Sequence, residues 1–155
     1  MYPGIYARQR ADQPCFIMAT SGETVTYGEY EARTNRLAHL LRASGLKPLD
    51  HYAIFMENNA RFLEACGAGT RAGLYYTCVN SYLTAEELAF IVNDSESKVV
   101  ISSREMREVA IAAMEQCPNV CLHLMVGATG DDGPFVDFEQ AVANFPATPI
   151  ADERL

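Results

Sequence analysis

The pattern most suggestive of chemistry is Gly67-Ala68-Gly69-Thr70-Arg71-Ala72, which satisfies G-x-G-x-x-[GA]. In a dinucleotide-binding fold those glycines follow a strand and open a helix, so the backbone meets a pyrophosphate at the positive end of the helix dipole. Here the order is reversed. Arg61 to Cys66 reads as helix before the motif, and a strand follows it. The glycines therefore sit near the carboxyl end of a helix, where the dipole repels phosphate. The reading is that they let this helix pack close to a sheet. Ser102 and Ser103 follow a strand and read as a helix cap. Glu86-Glu87 and Asp131-Asp132 read as helix-start and loop charges, and His51 opens a strand. Tyr75 and Tyr76 are adjacent on a strand, so they face opposite sides and cannot line one pocket.

His39, His51 and His123 lack metal-ligand spacing, and no P-loop, H-E-x-x-H or G-x-S-x-G stretch occurs. No catalytic residue and no metal ligand is assigned. Cys15, Cys66, Cys78, Cys117 and Cys121 are an odd set without a CxxC pair and lie mostly in apolar segments. That usage suits a reduced, cytoplasmic protein.

Alternating elements must position these residues. Cys15–Ala19 and Thr24–Thr26 suggest a β-hairpin around Thr20-Ser21-Gly22-Glu23. Thr26-Tyr27-Gly28-Glu29 is a capping box that starts a helix reaching Ser44, with Gly45 as its stop. Tyr52–Met56 is a continuous apolar run suited to a buried parallel strand. Asn58 or Asn59 caps a helix to Ala72, Gly73 ends it, and Leu74–Val79 is the next strand. Thr84-Ala85-Glu86-Glu87 repeats the box before a helix carrying Leu88, Ile91 and Val92. Lys98–Ile101 is a strand, Ser102–Glu105 offers a third box for a helix to Gln116, and Val120–Val126 is again a strand. The expected fold is α/β: three layers, a mainly parallel sheet flanked by helices, preceded by a short hairpin. Residues 1–126 form this unit. Residues 127–155 read as a loop and linker, with a short helix starting in Phe135–Glu139 and reaching Val142.

The chain has 155 residues, 49% of them apolar and 21% charged, enough for one packed domain without disulfide or metal. A net charge of −8 with no basic stripe argues against nucleic acid. No apolar run reaches the ~18 residues of a membrane span. Met1-Tyr2-Pro3-Gly4 lacks the basic start and apolar core of a signal peptide.

The segment from Arg71 to Ile101 resembles the early part of adenylate-forming enzymes, acyl-CoA synthetases above all. Their G-A-x-x-x-P-x-N, L-T-x-x-E-L and D-S-x-x-K-V-(V/I)-I patterns are met at Gly73, Asn80, Leu83, Thr84, Glu87, Leu88, Asp94, Ser95 and Lys98 to Ile101. Upstream, Thr26-Tyr27-Gly28-Glu29-Tyr30 resembles T-Y-x-E-L. Leu37-Ala38, Leu40-Leu41, Leu46-Lys47 and Asp50 follow the family's next pattern, and Phe55-Met56-Glu57-Asn58 stands where L-P-N is common. Cys78 and Glu57 replace prolines of the pattern.

The resemblance implies an intact enzyme that activates a carboxylic acid, a fatty acid foremost, as acyl-adenylate with ATP and Mg2+, then transfers it to coenzyme A. It places the chemistry in a Ser/Thr/Gly-rich P-K-G loop, a magnesium glutamate, a ribose aspartate and a C-terminal lysine. None of these is in the 155 residues, so the chain is expected to be an N-terminal portion, inactive alone and without tight binding of ATP, Mg2+ or coenzyme A. The resemblance also makes Asn80, Ser81, Arg104 and Arg107 candidates for holding the nucleotide end of coenzyme A. A homo-oligomer is compatible with it. The competing expectation is a stand-alone α/β interaction or regulatory module without catalysis.

Overall fold

A computed structural model describes residues 4–152. After a short helix α1 (Gly4–Gln9), strands β1 (Pro14–Ile17) and β2 (Thr24–Thr26) pair antiparallel as the expected hairpin. The remaining strands are β3 (His51–Phe55), β4 (Tyr75–Cys78), β5 (Ser97–Ser103), β6 (Leu122–Val126) and β7 (Val136–Asp137). They form one sheet in the order β4-β3-β5-β6-β7, and every neighbouring pair is parallel. The helices are α2 (Tyr27–Ala43), α3 (Ala60–Ala72), α4 (Ala85–Asp94), α5 (Arg107–Met114) and α6 (Phe138–Ala143).

The three layers follow from the two-residue period of the strands. Tyr52, Ile54, Val99, Ile101 and Leu124 point to one face, where they meet Leu37 and Leu41 of α2, Ala65 and Ala68 of α3 and Phe138 of α6. Ala53, Phe55, Val100 and Met125 point to the other, against Leu88 and Val92 of α4 and Ala110 and Ala113 of α5. Continuous apolar runs are thus required in the central strands, since both of their faces are covered.

Helix starts are set by side-chain caps. The Thr26 hydroxyl accepts from the Glu29 N–H and Glu29 closes the box on the Thr26 N–H at 2.9 Å. Thr84 and Glu87 do the same for α4. Asn59 caps α3, and Gly73 ends it in the left-handed conformation, φ 62°. The third expected box does not form. β5 runs on through Ser103, so both serines are extended and buried. Ser102 Oγ donates to the Phe55 carbonyl at 2.8 Å and Ser103 Oγ donates to Glu57. A 3-10 turn (Arg104–Met106) then leads into α5 without a side-chain cap.

The helix motif Gly67-Ala68-Gly69 serves close packing. A Cβ at Gly67 would overlap the Tyr30 hydroxyl and Thr34 of α2, and one at Gly69 would overlap the Tyr52 hydroxyl of β3. Arg71, only 2% exposed, reaches from α3 to α2, donating through Nε to Thr34 Oγ1 at 2.8 Å and pairing with Glu31. Phe135 is buried on the α4–α5 face of the sheet, while residues 138–152 fold back on the first helical layer. Phe138 and Ile150 are buried in its core, Asn35 Nδ2 donates to the Ala147 carbonyl at 2.8 Å, and Arg42 pairs with Asp152 at 3.0 Å. The short β7, where a helix start was expected, lies beside β6, and Asp137 caps the helix that follows.

Candidate functional site

Strand order places the candidate site. From β3 the chain crosses to β4 on one side, then returns past β3 to β5 on the other. The order reverses between β3 and β5, and in open parallel sheets the crevice beyond the carboxyl ends of such strands is where ligands bind. A cleft of about 360 Å³ opens there. Glu57 and Asn59 enter it after β3, Ser103 at the end of β5 with Arg104 and Glu105 just beyond, and Gly127 after β6. Arg61 and Glu139 close its side, held together at 3.0 Å. The Ser103–Glu57 hydrogen bond spans the ends of β3 and β5 at its floor.

A second cleft, also about 360 Å³, adjoins the first and shares Arg104 and Glu105. Ser81, from the loop after β4, faces Arg104 and Arg107 across it. The structure therefore brings together three of the four residues singled out in the sequence. Asn80, next in the chain, is exposed and does not line this cleft; its side chain accepts from the Tyr82 N–H at 3.0 Å and shapes the turn.

The two arginines differ in freedom. Arg107 pairs with Asp131 and Asp132, each at 3.2 Å. Asp132 is buried at 4% exposure and accepts from the amides of Thr129 at 2.7 Å and Gly130 at 2.9 Å. Burial works to raise its carboxyl, but the two amides and the Arg107 guanidinium outweigh it and hold it below the ordinary value. The loop after β6 thus fixes Arg107. This clamp was not legible in the sequence, where Asp131-Asp132 read only as loop charges. Arg104 is exposed and, among the described residues, its side chain has no ion-pair or hydrogen-bond partner. Glu105 and Glu108 line the same cleft, so an anion there would have to be met by Arg104.

Tyr75 and Tyr76, expected on opposite sides of their strand, both line one open hollow with Leu49, Gly69 and Thr70, because it wraps the edge strand β4; the flagged histidines hold the fold. His51 Nδ1 contacts the Ser95 carbonyl, His39 Nε2 lies 2.9 Å from the Thr148 carbonyl, and His123 stacks edge-on against Phe135. Burial pushes the His123 ring down in pKa. Glu64 is 2% exposed between Arg33 at 3.0 Å and Arg61 at 2.8 Å. Burial nevertheless pushes its carboxyl up. Among the described residues, no group of three or more His, Cys, Asp or Glu could hold a metal ion. No helix among them is long and apolar enough to cross a membrane.

A parallel sheet with helices on both faces and a cleft at its switch point define an open, doubly wound α/β domain. The family model described as AMP-binding enzyme matches residues 5–152, and the chain belongs to that family. It is 28% identical to long-chain fatty acid transport protein 1 of Mus musculus, with 94% of this chain and 23% of that protein covered. It is 31% identical to a 3-oxocholest-4-en-26-oate–CoA ligase of Rhodococcus rhodochrous, over 78% of this chain and 21% of that one. Among solved structures, a protein described as a long-chain-fatty-acid CoA ligase from Rhodopseudomonas palustris matches with a TM-score of 0.84 and 27% identity. That match covers 94% of this chain and 36% of the other. The chain thus spans about a fifth to a third of the length of these relatives.

Proposed function

We propose that this chain is the N-terminal α/β part of an ATP-dependent acid–CoA ligase. The whole protein joins a carboxylic acid, a fatty or similarly apolar acid, to coenzyme A. The observation that carries this reading is the family match over residues 5–152, in keeping with the names of the ligase relatives. In the first half-reaction the acid's carboxylate attacks the α-phosphate of ATP, giving acyl-adenylate and pyrophosphate. In the second the coenzyme A thiol attacks the acyl carbon and AMP leaves.

The contribution of these residues is to bind and position. No catalytic residue or magnesium ligand is assigned among them. Arg104, beside Ser81 and the clamped Arg107, faces a cleft suited to the nucleotide end of coenzyme A. A guanidinium presents paired N–H donors to phosphate oxygens. Asn80 shapes the Ser81 turn rather than touching the ligand. Five free cysteines support a reducing compartment, the cytoplasm, as the place of action. Self-association is compatible with this reading.

The test is acid-dependent ATP–pyrophosphate exchange. The full-length protein is expected to show exchange with an apolar acid and to release AMP only when coenzyme A is added. Residues 1–155 alone are expected to show none. A full-length protein that exchanges with no acid, or robust exchange by residues 1–155, would overturn the reading.

A further inference from the structure

Cys66 lies in α3 and Cys78 ends β4, and their Sγ atoms are 3.9 Å apart. The other thiols are placed differently. Cys117 contacts the Ala89 carbonyl, Cys121 contacts the carbonyls of Lys98 and Ser44, and Cys15 packs in the hairpin cluster. Cys78 is exposed and Cys66 half-buried, so one member of the pair meets solvent and the other stands behind it. A disulfide needs its sulfurs at ~2.05 Å, so the pair has to close by about 2 Å.

We propose that Cys66 and Cys78 are a reversible disulfide site, oxidised by exchange with a low-molecular-weight disulfide such as oxidised glutathione. The Cys78 thiolate attacks one sulfur of the glutathione disulfide, that S–S bond breaks, and one glutathione thiolate leaves. Cys66, deprotonated, then attacks Cys78 Sγ in the mixed disulfide and expels the second glutathione thiolate. Two cysteine thiols become one disulfide, two electrons pass to glutathione disulfide, and the two protons end on the two glutathione thiols. The bond ties α3 to the end of β4, closing a loop around the Gly73 turn, two residues before Asn80. Burial, with Cys78 adding to it, pushes the Cys66 thiol up to about 12. The second step therefore quickens as pH rises, because only the thiolate attacks. This inference does not depend on the ligase reading.

The experiment equilibrates the full-length protein with graded ratios of oxidised to reduced glutathione, blocks remaining thiols, and maps tryptic peptides by mass spectrometry. Oxidising ratios are expected to join the peptide of residues 62–71 to that of residues 72–98, with two fewer blockable thiols. Reduced glutathione is expected to reverse this, and linkage to form faster at pH 9 than at pH 7. Cys66→Ser is expected to leave glutathione trapped on Cys78, and Cys78→Ser to abolish both linkage and adduct on the pair. Native circular dichroism before and after oxidation confirms that the link forms in the folded chain. The proposal is overturned if wild-type Cys78 stays free or only glutathionylated at the most oxidising ratio. Linkage of Cys78 to any other cysteine, or linkage appearing only with loss of the native spectrum, overturns it equally.

Discussion

Gly69→Ala tests whether the glycine-rich stretch of α3 is a packing device. An added Cβ overlaps the Tyr52 hydroxyl, and Tyr76 Cδ1 lies close on the other side. Tyr52 is wholly buried on central strand β3 and its hydroxyl donates to the Ala65 carbonyl. Forcing an extra carbon into such a site costs about 1–3 kcal/mol. Displacing the hydroxyl from its acceptor adds about 1 kcal/mol. Alanine recovers about 1 kcal/mol over glycine in a helix interior. The net loss is about 2 kcal/mol, a fall in Tm of roughly 4–8 °C for a chain of this length. Part of the loss is specific to the hydroxyl. In a Tyr52→Phe background, Gly69→Ala should cost less by about 1 kcal/mol, a coupling that a double-mutant cycle resolves. Thermal melts of the four proteins, checked by urea titration, measure it. A Gly69→Ala protein that melts higher than wild type, as helix propensity alone dictates, or strictly additive effects, would refute the reasoning.

Stability should fall as the medium is acidified below about pH 4.5. Glu29 is held low by the Thr26 amide and hydroxyl, Asp50 by the Lys47 amide and Lys98, and Asp132 by the Thr129 and Gly130 amides and Arg107, against the burial that raises it. Each binds fewer protons folded than unfolded, so its contribution is full above the ordinary values of 4.5 for Glu29 and 3.8 for the aspartates. It is lost as pH falls through the folded value. Urea midpoints between pH 7 and pH 3 check this, and Asp132→Asn should make the fall shallower. The buried Glu64 works in the opposite sense: its contribution is full below its ordinary 4.5 and is lost as pH rises from there through its higher folded value. Thr84→Ala removes the hydroxyl half of a formed capping box and should cost about 1 kcal/mol in urea titration. Arg71→Ala should cost about 3 kcal/mol, the low end for breaking a buried pair because Glu31 keeps 19% exposure; a loss under about 1 kcal/mol would show that the pair is dispensable.

The alternation of elements was legible because local chemistry marks it. Thr26/Glu29 and Thr84/Glu87 announce two helices, Gly73 ends a third, and the apolar runs around Tyr52–Met56 and Lys98–Ile101 have to be buried on both faces. The glycine motif was legible by context, since a helix precedes it. Ser102–Glu105 misled because S-x-x-E fits a cap equally well when the serines end a strand; their partners, Phe55 and Glu57, are about 46 residues away in sequence. β7 was missed because two residues carry no period. The Arg107 clamp and the meeting of Ser81 and Arg104 in one cleft depend on loops after three different strands converging at one edge, which no local spacing encodes. Positions 80, 81, 104 and 107 came instead from resemblance to the family, and three of the four share a cleft.

The most direct test of the account is the coenzyme A dependence of full-length Arg104→Glu. Losing one guanidinium–phosphate contact at an exposed site and adding a like charge amounts to about 1–1.5 kcal/mol. The KM for coenzyme A should rise roughly 5- to 10-fold, while the KM for ATP and acid-dependent pyrophosphate exchange stay unchanged. An unchanged KM for coenzyme A would contradict the assignment of this cleft.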